Sequence, residues 1–105
     1  MARLQLQTLT EPMYYILLSL AQPRHGYAVM QDIEARTGGR VRVGAGTLYA
    51  LLSRFEEEAL IRQVEIRDRK KIYQLTPKGR SLLTEEYQRL KRLVADGARV
   101  LDEAD

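Results

Sequence analysis

A chain of 105 residues with 45% hydrophobic content and no cysteine has the size of one domain and a modest core that a second copy would help to complete. The missing thiols exclude disulfides, cysteine–zinc sites and thiol nucleophiles, and with neither an apolar leader nor a run long enough to span a bilayer the expected location is cytoplasmic, with no membrane partner. The net charge of +3 is uneven: residues 1–39 are neutral, residues 40–80 hold ten basic against five acidic side chains, and residues 81–105 hold four against six, which puts any polyanion partner at the middle of the chain.

Residues 1–9 read as a frayed lead-in. Thr10 can cap a helix over residues 10–21, with Glu11 and Pro12 in its first turn. Its run from Met13 to Leu20 is apolar on nearly all sides, so it is buried on more than one side. Tyr14 and Leu17 are placed on the face toward a partner subunit. Pro23 closes the helix. His25-Gly26 opens a second helix from about Tyr27 to Arg36, with Val29, Met30 and Ile33 inside and Thr37-Gly38-Gly39 ending it. His25, the lone histidine, lacks the partners that a metal or catalytic role needs, which leaves a turn residue or a phosphate contact. Tyr27 is either a phosphate donor or a core or interface residue.

Arg40-Val41-Arg42-Val43 alternates as a short extended piece. From Gly44 to Leu60 the pattern is helical, with Leu48, Leu51, Leu52 and Phe55 on one buried stripe. Gly46, Ala50 and Ser53 lie opposite, with Tyr49 on one shoulder and Thr47 and Arg54 on the other. The outer face starts slim and carries no acid before Glu56. Such an N-terminal end, with free backbone N–H groups, suits a major groove and its phosphates. Ile61 to Arg67 alternates as a half-buried strand with Val64 and Ile66 on one side. Lys71 to Leu75 follows as a second strand, with Tyr73 and Leu75 on one face. The turn between them, Arg67-Asp68-Arg69-Lys70-Lys71, is cationic and lacks an Asn-Gly signal.

Thr76-Pro77 restarts helix as cap and first position. Leu83, Tyr87, Leu90, Val94 and Leu101 then fall on a heptad seam, with Gly97 in the missing position. Leu82, Leu93 and Val100 widen the stripe. So small a domain cannot cover this helix, and a second copy of the chain is its simplest cover. Gly97 either permits close approach or marks a bend.

The expected fold is mainly α with a small β-hairpin (α+β): a winged helix-turn-helix over residues 1–76 and a long C-terminal dimerisation helix over residues 77–105. In that arrangement the third helix reads the major groove and the wing touches its flank. Arg42, Ala45, Gly46, Thr47, Tyr49, Ala50, Ser53, Arg54, Arg69, Lys70, Lys71 and Tyr27 are the expected DNA contacts. Tyr14, Leu17, Leu83, Tyr87, Leu90, Val94, Gly97 and Leu101 are the expected dimer contacts. The expected DNA site is an inverted repeat with half-sites about one helical turn apart. A single histidine, no phosphate loop and no paired carboxylates argue against an enzyme, and no metal or cofactor is expected. The alternative is a winged-helix module that binds protein, since fold does not fix function.

His25-Gly26-Tyr27, Gly46-Thr47-Leu48-Tyr49, Leu52 with Phe55 to Ile61, and Lys71 to Arg80 together resemble the PadR family of bacterial transcriptional regulators. The likeness spans about residues 10–90 and is closest to its smaller subfamily with a single C-terminal helix. It implies a homodimeric repressor that leaves its operator when a small molecule, often phenolic or multidrug-type, binds. It also implies DNA contact around Thr47 and Tyr49, supported by the wing from Arg69 to Lys71. Two residues depart from the pattern. Ala59 stands where the family commonly has a small residue such as glycine. The chain also lacks the tryptophan that some members use to bind planar drugs, although Tyr14, Tyr15 and Tyr87 can line an aromatic pocket.

Overall fold

A computed structural model describes residues 8–102. The expected lead-in and the outer limits of the segments 1–76 and 77–105 therefore fall partly outside the described residues. Three helices come first: α1 Glu11–Ser19, α2 Gly26–Arg36 and α3 Ala45–Glu57. A hairpin of β1 Ile61–Arg67 and β2 Lys70–Leu75 follows, and α4 Pro77–Leu101 ends the chain.

Three of the four helices start on a side-chain cap, at Thr10, His25 and Thr76, whereas Gly44 gives α3 none. The Thr10 hydroxyl accepts from the Met13 N–H at 3.3 Å, and His25 Nδ1 accepts from the Ala28 N–H at 3.2 Å. Each bond satisfies a donor that the first turn leaves open. The neutral His25 ring therefore carries its proton on Nε2. α2 stops where Gly38 and Gly39 take φ values of 61° and 81°. There the Gly39 N–H reaches back to the Glu34 carbonyl at 2.8 Å, the closing bond of a Schellman cap. Arg40 to Val43, expected as a short extended piece, form no strand. No neighbouring strand is there to pair with, and Val41 and Val43 turn into the core instead.

The core is one cluster. Ile16, Leu17 and Leu20 of the α1 region, Val29 and Ile33 of α2, and Leu48, Leu52 and Phe55 of α3 are all at most 2% exposed. Leu51, expected beside them, is half-buried. α3 ends in a second Schellman cap, with Leu60 N–H on the Phe55 carbonyl at 2.9 Å and Ala59 N–H on the Glu56 carbonyl at 3.0 Å. The left-handed position in this cap is Ala59, at φ 61°. A β-carbon there is strained, whereas glycine is not. Ala59→Gly is therefore expected to stabilise the fold by about 1 kcal/mol, net of the added freedom of the unfolded chain. A urea titration checks this, and a midpoint that falls would place no strain at Ala59.

β1 and β2 pair antiparallel from Ile61↔Leu75 to Arg67↔Lys70, with an irregularity between Gln63 and Glu65. The expected five-residue turn is in fact a two-residue loop, Asp68-Arg69, with φ values of 52° and 67°. Positive φ at both positions matches the twist of the strands, and this outweighs the unfavourable residue types. The expected half-buried face of β1 is absent as well. Val64 is 37% and Ile66 64% exposed. The irregularity at Val64 breaks the alternation, and beyond Ile61 the side chains of β1 are all exposed. β2 is better held: Tyr73 exchanges backbone hydrogen bonds with Arg24 at 2.9 and 3.0 Å, and Leu75 N–H donates to the Leu20 carbonyl at 2.8 Å. The wing is thus fixed to the loop between α1 and α2.

α4 begins on the end of α3. The Thr76 hydroxyl accepts from the Gly79 N–H at 3.0 Å and donates to the Ala59 carbonyl at 2.6 Å. The Thr76 N–H donates to the Leu60 carbonyl at 3.0 Å, and Lys78 Nζ to the Glu58 carbonyl at 2.8 Å. The carbonyls that the end of α3 leaves open are thus taken by the first turn of α4. Leu82 and Leu83 complete the core. Beyond them the helix runs unbroken through Gly97.

Candidate nucleic-acid interface

α3 presents the expected two faces. Ala45, Gly46, Thr47, Tyr49, Ala50 and Ser53 are exposed, opposite the buried Leu48, Leu52 and Phe55. Arg54 is half-buried in the last turn. No acidic side chain lies in the first turn, so the positive end of the helix is left uncompensated. Tyr27, at the start of α2, is 56% exposed, which rules out its reading as a core residue.

Between α3, the start of α2 and the wing lies a cleft of about 460 Å³. It brings together Tyr27, Tyr49, Ser53, Arg69, Lys70 and Lys71 with His25, Gly26, Leu52 and Tyr73. Arg42, Ala45, Gly46, Thr47, Ala50 and Arg54 do not line it. Arg42 instead faces Glu34, with Nε 3.4 Å from the carboxylate. Sequence reasoning missed Tyr73, which reads as an inward strand residue, and Gly26, which reads only as a helix start. Burial, followed by the nearby Glu56 carboxylate and the Tyr49 phenol, pushes the Tyr73 phenol above its ordinary pKa.

The wing cations differ in their freedom. Arg67 is held by Glu65 at 2.7 Å. Among the described residues Arg69, Lys70 and Lys71 enter no ion pair. All three are exposed. Three free cations thus border a cleft whose other wall is an acid-free helix start, which is a geometry suited to a phosphate strand.

A separate surface, on α1 and α4, carries most of the expected dimer residues. Leu17 is fully buried and Leu83 is 8% exposed. Both are spent inside the protomer's own core, which corrects their assignment to a partner-facing surface. From Tyr87 onward the stripe is open: Tyr87 is 47%, Val94 71% and Leu101 74% exposed, flanked by Leu93 and Val100. Leu90 and Gly97 are half-buried. Tyr14, Tyr87, Leu90, Lys91, Val94 and Ala95 line a groove of about 440 Å³. Lys91 Nζ lies 5.3 Å from the centre of the Tyr87 ring, and Tyr14 meets Tyr15 edge-on at 5.9 Å. Burial first, then Tyr15, Tyr87 and Glu86, raises the Tyr14 phenol pKa.

Glu86, unremarked in the sequence, sits 3% exposed on this side. It accepts from the Leu9 N–H at 3.2 Å and from Arg89 at 2.8 Å through each oxygen. The Arg89 guanidinium, and after it the Leu9 N–H, holds its carboxyl below the usual range against the opposing effect of burial. Its position, three residues after Leu83 and four before Leu90, puts it on the same helix face beside the seam residue Tyr87, and a carboxylate there was the available signal.

Among the described residues no cluster of three or more His, Cys, Asp or Glu side chains could hold a metal ion, and no helix is long and apolar enough to cross a membrane.

A family model described as "Transcriptional regulator PadR-like family" matches residues 16–85. An uncharacterised 37.1 kDa protein in transposon Tn4556 of Streptomyces fradiae is 42% identical over 79 residues. That match covers 74% of this chain and 22% of the relative, so the chain spans about a fifth of that protein's length. The X-ray structure of a PadR-like transcription factor from Bacteroides fragilis is similar with a TM-score of 0.74 at 26% identity, over 94% of this chain and 95% of that one. A PadR family transcriptional regulator from Eggerthella lenta is similar with a TM-score of 0.70, also at 26% identity, over 99% and 91%.

Proposed function

We propose, from the premise that this chain belongs to the Transcriptional regulator PadR-like family, that it is a homodimeric, sequence-specific DNA-binding repressor. The observation that carries this reading is the cleft in which unpaired Arg69, Lys70 and Lys71 face Tyr27, Tyr49 and Ser53. A sugar–phosphate strand fits between wing and helix, while Ala45, Gly46, Thr47 and Ala50 enter the major groove by being small. Arg42 and Arg54 flank this contact. Two copies join through the uncovered stripe of α4, with Tyr14, Tyr87, Leu90, Val94, Gly97 and Leu101 at the seam. A stripe this apolar is covered by a like surface more readily than by water. The recognition helices then meet an inverted-repeat operator with half-sites about one turn apart. An aromatic or drug-like inducer enters the groove beside Tyr14 and Tyr87 and releases the DNA. The protein acts in the cytoplasm, where its DNA is.

Fluorescence anisotropy tests this reading, with DNA from just upstream of its own gene against shuffled DNA across salt. Preference for the native fragment, a steep salt slope and one dimer per site support it. Absence of binding even at low salt overturns it in favour of a protein-docking module.

A further inference from the structure

Gly26 occupies the first position of a helix, where almost any other residue costs less. Its backbone does not explain the choice, because the positive-φ glycines are Gly38 and Gly39 alone among the described residues. Space explains it. A β-carbon at Gly26 would lie 2.6 Å from the Tyr49 hydroxyl oxygen and 2.8 Å from two atoms of the Tyr49 ring. All three nearest atoms belong to that one side chain. Gly44, Gly46 and Gly97, by contrast, have nothing within 4 Å of such a β-carbon. The hydroxyl end of Tyr49 therefore lies directly over the Gly26 backbone, while the side chain as a whole stays 50% exposed toward the cleft.

Resting on the reading of the cleft as a DNA contact, we infer that Gly26 is the positioning residue of Tyr49. Its bare α-carbon is the seat that holds the phenol against the first turn of α2, aimed into the cleft, and any side chain there swings the ring out of its binding position. The two residues act as one unit. Tyr49 touches DNA, whereas Gly26 acts only through Tyr49.

This pairing makes a demand that a general structural role does not. Gly26→Ala should weaken binding to the upstream DNA by at least about five-fold, within the range of coupling for residues in contact. The same substitution made in a Tyr49→Ala background should change affinity by less than about two-fold, because the ring it displaces is gone. Equal losses in both backgrounds, or no loss in either, overturn the inference. Should Gly26→Ala fail to fold, the Gly26→Ala/Tyr49→Ala double variant must fold, since the clash is with that ring. A double variant that is also unfolded overturns it. The Tyr49 ring resonances of the free full chain give a reading without DNA. They must move on Gly26→Ala, and unmoved resonances sink the positioning role. If no variant and no wild-type chain binds DNA while the ring still moves, the DNA reading has failed and the seat stands.

Discussion

Gly79→Ala is expected to leave much of the chain unfolded in mild urea, where the wild type is native. A β-carbon at Gly79 would lie 2.0 Å from the Leu60 carbonyl oxygen and 2.8 Å from its carbon. Both obstacles are backbone, so no side chain can swing aside. α4 must back away from α3 instead. Retreat breaks the bonds from Thr76 and Lys78 to the Glu58, Ala59 and Leu60 carbonyls, each worth about 1 kcal/mol. It also lifts Leu82 and Leu83 off the core. The sum is on the order of 3–5 kcal/mol, a large share of a small domain's stability. Gly97→Ala is the control, with nothing near its β-carbon four residues before the end of the same helix. In the separated protomer it should raise stability by about 0.5–1 kcal/mol. Urea midpoints of the two variants decide the matter, and a Gly79→Ala midpoint equal to wild type would disprove the contact between α3 and α4.

Replacing Arg69, Lys70 and Lys71 together by alanine should remove most DNA affinity and leave stability untouched. These side chains are exposed and enter no ion pair among the described residues. Each phosphate neutralised contributes about 0.9 to the slope of log affinity against log salt. Losing three per protomer should flatten that slope by about 2.7 for each half-site and cost on the order of a hundred-fold or more near 0.1 M salt. The loss should be alike on operator and shuffled DNA, since phosphates carry no sequence. A slope unchanged from wild type would remove the wing from the interface. A loss confined to operator DNA would make its tip a base reader.

Much of this was readable in the sequence wherever a pattern had one physical meaning. The stripe of Leu48, Leu52 and Phe55 and the caps at Thr10 and Thr76 follow from local chemistry that tertiary contact did not override. The failures share a cause, because each depended on what lay across space. Val64 and Ile66 alternate as a half-buried strand does, yet the fold leaves both exposed. Asp68-Arg69 forms a tight loop because strand twist prevails over residue preference. Leu17 and Leu83 share the α1 and α4 stripes with residues that stay open, and only the packing of α1 against α4 separates the two sets. Ala59 is instructive in the same way. Its departure from the family pattern looks minor in sequence, but its φ of 61° makes it the strained residue of the α3 cap.

The lock between the end of α3 and the start of α4 gives the molecule a mechanical advantage that varies along its length. Twenty-five residues make α4 an arm of about 37 Å, and Tyr87 stands only about 15 Å from the pivot. A sideways shift of about 3 Å at the far end turns the arm by roughly 5°, whereas the same shift at Tyr87 turns it by roughly 11°. If α3 follows the arm through the bonds at Glu58, Ala59 and Leu60, a molecule wedged beside Tyr87, as the proposed function has it, would re-aim α3 about twice as far as one wedged at Leu101. The groove at Tyr14 and Tyr87 lies on the short, high-gain part of the lever.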